Sequence, residues 1–175
     1  MYMRNVVKLL TVCVLLIILT SFRAKNESVA GYYIVITKHD YTLTVYDDRG
    51  WLVKYPVVFG NKDLGDKMQE GDRETPEGSF SIVNKRIHEK WDRFLMLDYP
   101  TAESYEKFKQ RKAAGIIPQN AQIGGGVGIH GTWPHEGWAV DRFQNWTEGC
   151  ISMKNEDVEE LYKMIIPGTK VIIRK

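Results

Sequence analysis

The sequence is poor in the residues that mark several common classes of protein. It has two cysteines and four histidines in 175 residues, with no Cys-x-x-Cys pair and no His-Glu-x-x-His motif. These counts argue against a disulfide scaffold and against a zinc-binding module. No internal repeat or low-complexity linker is present, and the longest apolar run is shorter than the roughly 20 residues that a membrane-spanning helix needs. We therefore expect one folded domain with a short N-terminal extension.

The chain also lacks a strong net charge. It carries 24 basic and 22 acidic side chains, which gives a formal net charge of +2. The first 24 residues contain Arg4, Lys8 and Arg23 and no acid, so the rest of the chain carries 21 basic and 22 acidic side chains. A domain at −1 offers no basic field to a phosphate backbone, and we expect no nucleic-acid partner.

Residues 1–24 are typical of an export segment. Arg4 and Lys8 precede an apolar run from Leu9 to Leu19, which has the length of a secretory signal core. No clear small-residue cleavage site follows, so a cleaved signal peptide and a retained membrane anchor both stay open. In either case we expect the domain to be exported, to the periplasm or the cell-wall side of the cytoplasmic membrane. The export segment is the only part expected to contact the membrane.

The two cysteines are not expected to form a disulfide. Cys13 lies inside the export segment, whereas Cys150 is alone in the rest of the chain. His130 and His135 are potential zinc ligands together with Cys150, but no fourth ligand is evident. We therefore expect no metal and no other cofactor, and the thiol of Cys150 needs another explanation.

The remainder of the chain is predicted to be mostly β, in an α+β fold. Residues 60–78 are rich in glycine and charge and predict a surface loop, in which Glu70 and Asp72 are solvated. One helix is predicted over residues 101–114, and a second runs from an Asn155 N-cap to Pro167-Gly168. Alternating apolar and polar residues predict strands at residues 32–37, 41–46, 51–59, 79–84, 93–97 and 169–173. We predict a single domain of two packed or partly closed sheets with two peripheral helices.

The residues suited to catalysis lie in two segments, Gly128-Ile-His-Gly-Thr132 and Thr147-Glu-Gly-Cys-Ile-Ser-Met153. A thiol is mostly protonated at neutral pH, so a nucleophilic Cys150 needs a base, and His130 is the obvious one. From these two residues alone, an inert buried cysteine and an ordinary turn histidine are the competing interpretation.

Glycines beside both residues favour the catalytic interpretation. Gly131 lets the backbone run close to the imidazole, so that a main-chain carbonyl can hold Nδ1–H and fix the tautomer. Gly149 allows a tight turn in which successive N–H groups point at one spot. The N–H groups of Gly149 and Cys150 are therefore the candidate oxyanion hole.

The two segments resemble the signature of the L,D-transpeptidase catalytic domain family, the YkuD family. His130-Gly-Thr132, fourteen further residues and Thr147-Glu-Gly-Cys-Ile151 match its pattern of His-Gly-Thr followed by Ser/Thr-x-Gly-Cys and an apolar residue. A second segment, Glu70 to Phe80, is similar to the family's Thr-Pro-x-Gly-x-Phe motif, most of all in its YafK-like branch. The resemblance covers residues 31–174, which it identifies as one L,D-transpeptidase-like catalytic domain.

The resemblance implies a peptidoglycan L,D-transpeptidase that contributes to cell-wall organisation and cell shape. Cys150 would attack the third residue of a tetrapeptide stem, release the terminal D-Ala and form a thioester, which an amine resolves. The acceptor stays open between a second stem peptide, a lysine of an exported protein and water. Two alternatives remain. One is a cysteine hydrolase of the same fold, either an L,D-carboxypeptidase or an amidase that releases wall proteins, and the other is a non-catalytic wall-binding module.

Candidate substrate contacts surround the two segments. Many relatives have His at the position of Glu148 and Arg or Asn at that of Ser152, and Ser152 cannot make the bidentate contact that an Arg makes to a carboxylate. The aromatic residues between the segments either pack or line a substrate cleft. The residues expected to contact the substrate are Thr132, Arg142, Trp146, Thr147 and Ser152.

Overall fold

Strands form most of the regular structure in the computed structural model, which describes residues 31–175. In chain order they are β1 (Tyr33–Thr37), β2 (Thr42–Asp47), β3 (Gly50–Pro56), β4 (Gly78–His88), β5 (Asp92–Leu97), β6 (Gly128–His130), β7 (Ile151–Ser152) and β8 (Lys170–Arg174). The helices are α1 (Ala102–Ala113), α2 (Trp138–Asp141) and α3 (Asn155–Met164). The mostly β prediction is confirmed, with three helices instead of two among residues 31–175. The predicted export segment, residues 1–24, lies outside the described residues.

All eight strands belong to one sheet, in the order β3-β2-β1-β8-β4-β5-β6-β7. Strand β4 joins its two halves, because the first residues of β4 pair with β8 and the later ones pair with β5. The two predicted sheets are thus two halves of a single sheet that does not close. A single bridge between Val58 and Ser152 connects the segment after β3 to β7 at the opposite edge. Because of this bridge, the segment that carries Cys150 is held from both sides.

The core is one cluster of buried apolar side chains that come from the strands, the loops between them and helix α3. Ile34 and Ile36 are buried at alternate positions of β1, as the strand period requires. Val158 and Leu161 are the buried residues of α3, which packs against β5 and β6. Fully burying a side chain of this size contributes about 1.5–3 kcal/mol. The packing therefore fixes the position of β6, which carries His130.

The two predicted helices exist, but one predicted cap is wrong. Thr101 is the N-cap of α1, and its hydroxyl accepts a hydrogen bond from the N–H of Ser104. Helix α3 has Lys154 at its N-cap and no side-chain cap hydrogen bond. Asn155 is the first helical residue, and its Oδ1 accepts from the N–H of Thr132 at 2.8 Å. The Asn155 side chain, which the sequence predicts as the helix cap, is instead used in a tertiary hydrogen bond.

Other boundaries differ from the sequence prediction because of tertiary pairing. β3 ends at Pro56, after which the chain turns to bridge β7, and β4 continues to His88 because β5 pairs along its length. Residues 31–175 form one compact unit. No helix within that unit has the length and apolar character required to cross a bilayer.

Candidate active site

Strands β6 and β7 bring the two predicted segments together. They are parallel, with Ile129 opposite Ile151 and His130 opposite Ser152. Alternate residues of a strand share a face, so His130 and Cys150, which directly precedes β7, lie on the same face of neighbouring strands. The half-buried thiol of Cys150 contacts the carbonyl oxygen of Gly126 at 3.6 Å. The register therefore places the thiol and the imidazole on one face of two neighbouring strands, and no hydrogen bond joins them among residues 31–175.

The imidazole of His130 is held in one tautomer. Its side chain is buried, and Nδ1 lies 2.7 Å from the carbonyl oxygen of Gly131. A carbonyl only accepts hydrogen bonds, so Nδ1 carries the proton and Nε2 is left as the basic nitrogen. The Ser152 hydroxyl donates to the same carbonyl at 3.2 Å. Gly131 and Ser152 therefore fix the orientation of the His130 imidazole on its Nδ1 side.

Aromatic rings surround this imidazole. Trp91 stacks on it with ring centroids 4.5 Å apart, and Phe94 lies parallel to it at 5.9 Å. Trp146 meets the ring edge-on at 5.6 Å. His88 in turn stacks on Trp91 at 4.4 Å. The sequence analysis did not identify Trp91, Phe94 or His88 as part of the site, because they come from β4, β5 and the turn between these strands.

This environment keeps both reacting groups neutral before substrate binds. Burial lowers the pKa of His130 to about 4, against the opposing hydrogen bond to Gly131. Burial raises the pKa of the Cys150 thiol, while the N–H of Gly128 and the ammonium of Lys67 partly offset that rise. The pair at neutral pH is thus a thiol and a neutral imidazole.

The low pKa of His130 makes a testable contribution to stability. Because its pKa is about 4 in the folded chain and the ordinary value is 6.5, the unfolded chain binds more protons between these two values. Stability from this group is complete above pH 6.5 and decreases as the pH falls below it, by about 3 kcal/mol at pH 4. In urea unfolding, wild type should lose about 3 kcal/mol more than His130→Gln between pH 7 and pH 4. Equal losses in the two proteins would contradict the buried neutral imidazole.

Two threonines shape the turn that carries Cys150. The Thr147 hydroxyl donates to the carbonyl of Cys150 at 2.7 Å, and the Thr75 hydroxyl donates to the carbonyl of Gly149 at 3.0 Å. Gly149 has a φ of +121°, which few other residues adopt. Thr75 belongs to the Thr-Pro-Glu-Gly segment, so this second motif supports the nucleophile.

The two N–H groups predicted as the oxyanion hole differ in their hydrogen bonding. The N–H of Gly149 donates to the Thr147 hydroxyl at 3.2 Å, so this donor is already engaged within the turn. The N–H of Cys150 donates to no acceptor among residues 31–175. Of the two predicted donors, Cys150 N–H is the one available to a developing oxyanion.

A cleft opens at the thiol and is lined by residues of three segments. One of the lining residues is Lys67, in the 60–78 segment, which the sequence analysis did not identify. The expectation that Asp72 is solvated is wrong, because its carboxylate accepts from Lys67 and from the backbone N–H groups of Met68, Gln69 and Glu74. The lining residues are Lys67, Glu70, Gly71, Gly124, Gly125, Val127, Glu148 and Cys150.

The candidate substrate contacts are mostly placed elsewhere. Ser152, Thr132 and Thr147 are buried and do not line the cleft, and the hydroxyls of Ser152 and Thr147 donate to backbone carbonyls of the site. Arg142 is exposed, lies over the Trp138 ring at 5.6 Å and does not line the cleft. Trp146 packs on the imidazole, with its Nε1 buried and without a partner among residues 31–175. Within the same residues, no three His, Cys, Asp or Glu side chains are grouped to hold a metal ion.

Together, a β-sheet domain, a cysteine on a glycine turn and an imidazole held by a main-chain carbonyl define a candidate cysteine acyl-transfer site. The chain belongs to the L,D-transpeptidase catalytic domain (YkuD) family, whose sequence model matches residues 31–173. This confirms the resemblance stated above. The family consists of cell-wall enzymes that act on peptidoglycan stem peptides. No curated protein matches the chain.

Solved structures share this fold. The helical cell shape determining protein Pgp2 from Campylobacter jejuni has a TM-score of 0.60 at 24% identity, over 82% of this chain and 47% of that one. Bd1075 from Bdellovibrio bacteriovorus has a TM-score of 0.58 at 19% identity, over 86% and 50%. L,D-transpeptidase 3 from Mycobacterium tuberculosis has a TM-score of 0.54 at 16% identity, over 83% and 62%. The chain thus spans about half the length of the first of these structures.

Proposed function

We propose that this protein is a peptidoglycan L,D-transpeptidase in which Cys150 is the nucleophile. The observation that carries the proposal is the arrangement of the two catalytic segments. A cysteine on a turn fixed by two threonine hydroxyls lies on the same face as an imidazole whose Nδ1 is fixed by the Gly131 carbonyl. The family membership supplies the substrate class, a peptidoglycan stem peptide.

The first half of the reaction forms a thioester. Nε2 of His130 takes the proton from the Cys150 thiol as Sγ attacks the carbonyl carbon of the third stem residue. The negative charge that develops on the carbonyl oxygen is met by the N–H of Cys150. The bond to the terminal D-Ala then breaks, and the imidazolium gives its proton to the leaving amine. The products of this step are free D-Ala and an acyl-enzyme.

The second half transfers the acyl group. An acceptor amine attacks the thioester, His130 removes one proton from it, and the thiol regains its proton as the new amide forms. A side-chain amine of a second stem gives a crosslink, and a lysine of an exported protein gives a wall-attached protein. Water in place of the amine gives a carboxypeptidase.

As part of this proposal, the domain works outside the cytoplasm. The cationic start and the apolar run from Leu9 to Leu19 support export, and the intact peptidoglycan that the reaction needs is found there. N-terminal sequencing of the protein from the membrane and periplasmic fractions would show whether residues 1–24 are cleaved.

Product analysis tests the proposal. The purified full chain is mixed with a disaccharide-tetrapeptide, with and without an amine acceptor, and the products are identified by mass spectrometry. We expect free D-Ala, an acyl-enzyme of the corresponding mass and, with the acceptor present, a new amide-linked product. Trimmed monomers alone, with acceptor present, would instead support the hydrolase. Binding to wall sacculi with no D-Ala and no adduct would support the non-catalytic module.

A further inference from the structure

A buried ion pair lies at the wall of the Cys150 cleft. The side chain of Lys67 is 4% exposed, and its Nζ donates to Oδ1 of Asp72 at 2.7 Å and to the carbonyl of Gln69 at 3.1 Å. A Cβ built on Gly149 would stand 3.8 Å from this Nζ. The ammonium is therefore held against the turn that presents the nucleophile. One of its three donor hydrogens is not used by these two bonds.

Lys67 is the only basic residue that lines this cleft, among residues 31–175. The two acidic lining residues are Glu70 and Glu148. Arg73 is the neighbouring cation, but it does not line the cleft. It pairs with Glu148 at 3.4 Å and donates to the backbone carbonyls of Trp146 and Thr147. Because His130 is neutral near pH 7, the imidazole supplies no positive charge to the thiol before the reaction begins. The cleft thus has one fixed positive charge.

We propose that Lys67 is a positioning residue that stabilises the thiolate of Cys150 electrostatically, and that Asp72 holds it in place and partly cancels its charge. The inference rests on the proposed function, since it takes Cys150 as the nucleophile. Lys67 makes no bond to the substrate and exchanges no proton in this role. Its effect is a field at Sγ, opposed by the carboxylates of Asp72, Glu70 and Glu148 and in part by that of Glu74, whose pKa is raised by burial to about 7.

The competing explanation is that Lys67 only ties down the 60–78 segment. Its bonds to Asp72 and Gln69 do serve that purpose, because the segment has no strand or helix of its own before β4 begins. A structural tie and an electrostatic role differ in what they do to the thiol. If Lys67 is only structural, its loss should lower the reactivity of the Cys150 thiol equally at every pH. If its charge stabilises the thiolate, its loss should raise the pH at which the thiolate forms.

Alkylation of Cys150 by iodoacetamide, followed from pH 6 to pH 11 on the full chain, measures this difference. Peptide mapping separates Cys150 from Cys13, and the neutral reagent presents no carboxylate for Lys67 to bind. At neutral pH, Lys67→Met should slow alkylation about tenfold, while the plateau rate at high pH stays near that of wild type. Lys67→Arg keeps the charge and should restore most of the rate.

Asp72→Asn should change the alkylation rate in the opposite direction to Lys67→Met. It leaves the cation without its counter-charge, so alkylation at neutral pH should become several-fold faster than in wild type. This variant also carries the test if Lys67→Met does not fold, as judged by thermal melting. Unchanged profiles in both folded variants, or an equal loss of rate at every pH, would overturn the proposal. The assay uses no cell-wall substrate, so a chain that alkylates as expected but releases no D-Ala would contradict the proposed function alone.

Discussion

Cys150→Ala is expected to abolish acyl-enzyme formation and to reduce D-Ala release at least about a thousandfold. The mutation removes the sulfur that forms the thioester, and Cys150 is the only cysteine among residues 31–175. Among residues 31–175, the other side chains that line the cleft include no thiol or hydroxyl that could carry the acyl group. Intact-protein mass spectrometry after incubation with disaccharide-tetrapeptide, together with a D-Ala assay, measures both effects.

The loss should be chemical rather than structural. Within the described part of the chain, the Cys150 sulfur makes one weak hydrogen bond, to the Gly126 carbonyl at 3.6 Å, so its removal should shift the melting temperature by only a few degrees. Cys150→Ser is the matched variant, because it keeps a hydroxyl in nearly the same place with a much weaker nucleophile. D-Ala release by Cys150→Ala at the wild-type rate would show that another residue is the nucleophile.

Gly149→Ala is expected to destabilise the domain by roughly 3 kcal/mol and to slow acylation about a hundredfold. The φ of +121° at this position is strained for any residue with a side chain. An added Cβ would also stand 2.7 Å from the carbonyl oxygen of Glu74, which is backbone and cannot move aside. The turn must shift to relieve this overlap, and Cys150 shifts with it. Urea unfolding and the rate of acyl-enzyme formation give the two numbers.

Gly168→Ala is the matched control for this variant. Gly168 has a φ of +92°, but a Cβ there meets nothing within 4 Å, and the residue lies between α3 and β8. We expect a cost of about 1–2 kcal/mol from the backbone alone and a normal rate of acylation. If both alanine variants acylate at the wild-type rate, the Gly149 turn does not position the nucleophile.

Local sequence was sufficient for much of the fold and for the two reacting groups. Strand alternation is a property of neighbouring residues, so β1, β2 and the start of β4 were predicted close to their observed bounds. A thiol needs a base, and the chain has few candidates for either, so this chemistry and the resemblance to the YkuD family together predict Cys150 and His130 as a pair. Helix α1 was predicted in the same way, from residues next to one another in the chain.

The supporting residues were missed because they come from distant parts of the chain. Thr75 binds Gly149 across 74 positions, and Trp91 reaches His130 only because β5 pairs with β6. The N–H of Gly149, expected to face an oxyanion, donates instead to the hydroxyl of Thr147, which itself donates to the carbonyl of Cys150. Arg142 was favoured by its place in the sequence, but the fold directs it onto Trp138 and away from the cleft.

The sequence by itself determined the class of fold, the family and the choice of Cys150 and His130 as the candidate nucleophile and base, because spacing, alternation and residue chemistry are local properties. Only the tertiary structure decided which side chains surround them. Burial beneath aromatic rings sets the charge state of His130, and the 60–78 segment, with almost no regular pattern of its own, brings Lys67 and Asp72 to the thiol. Such contacts depend on long-range packing, which no single stretch of sequence encodes.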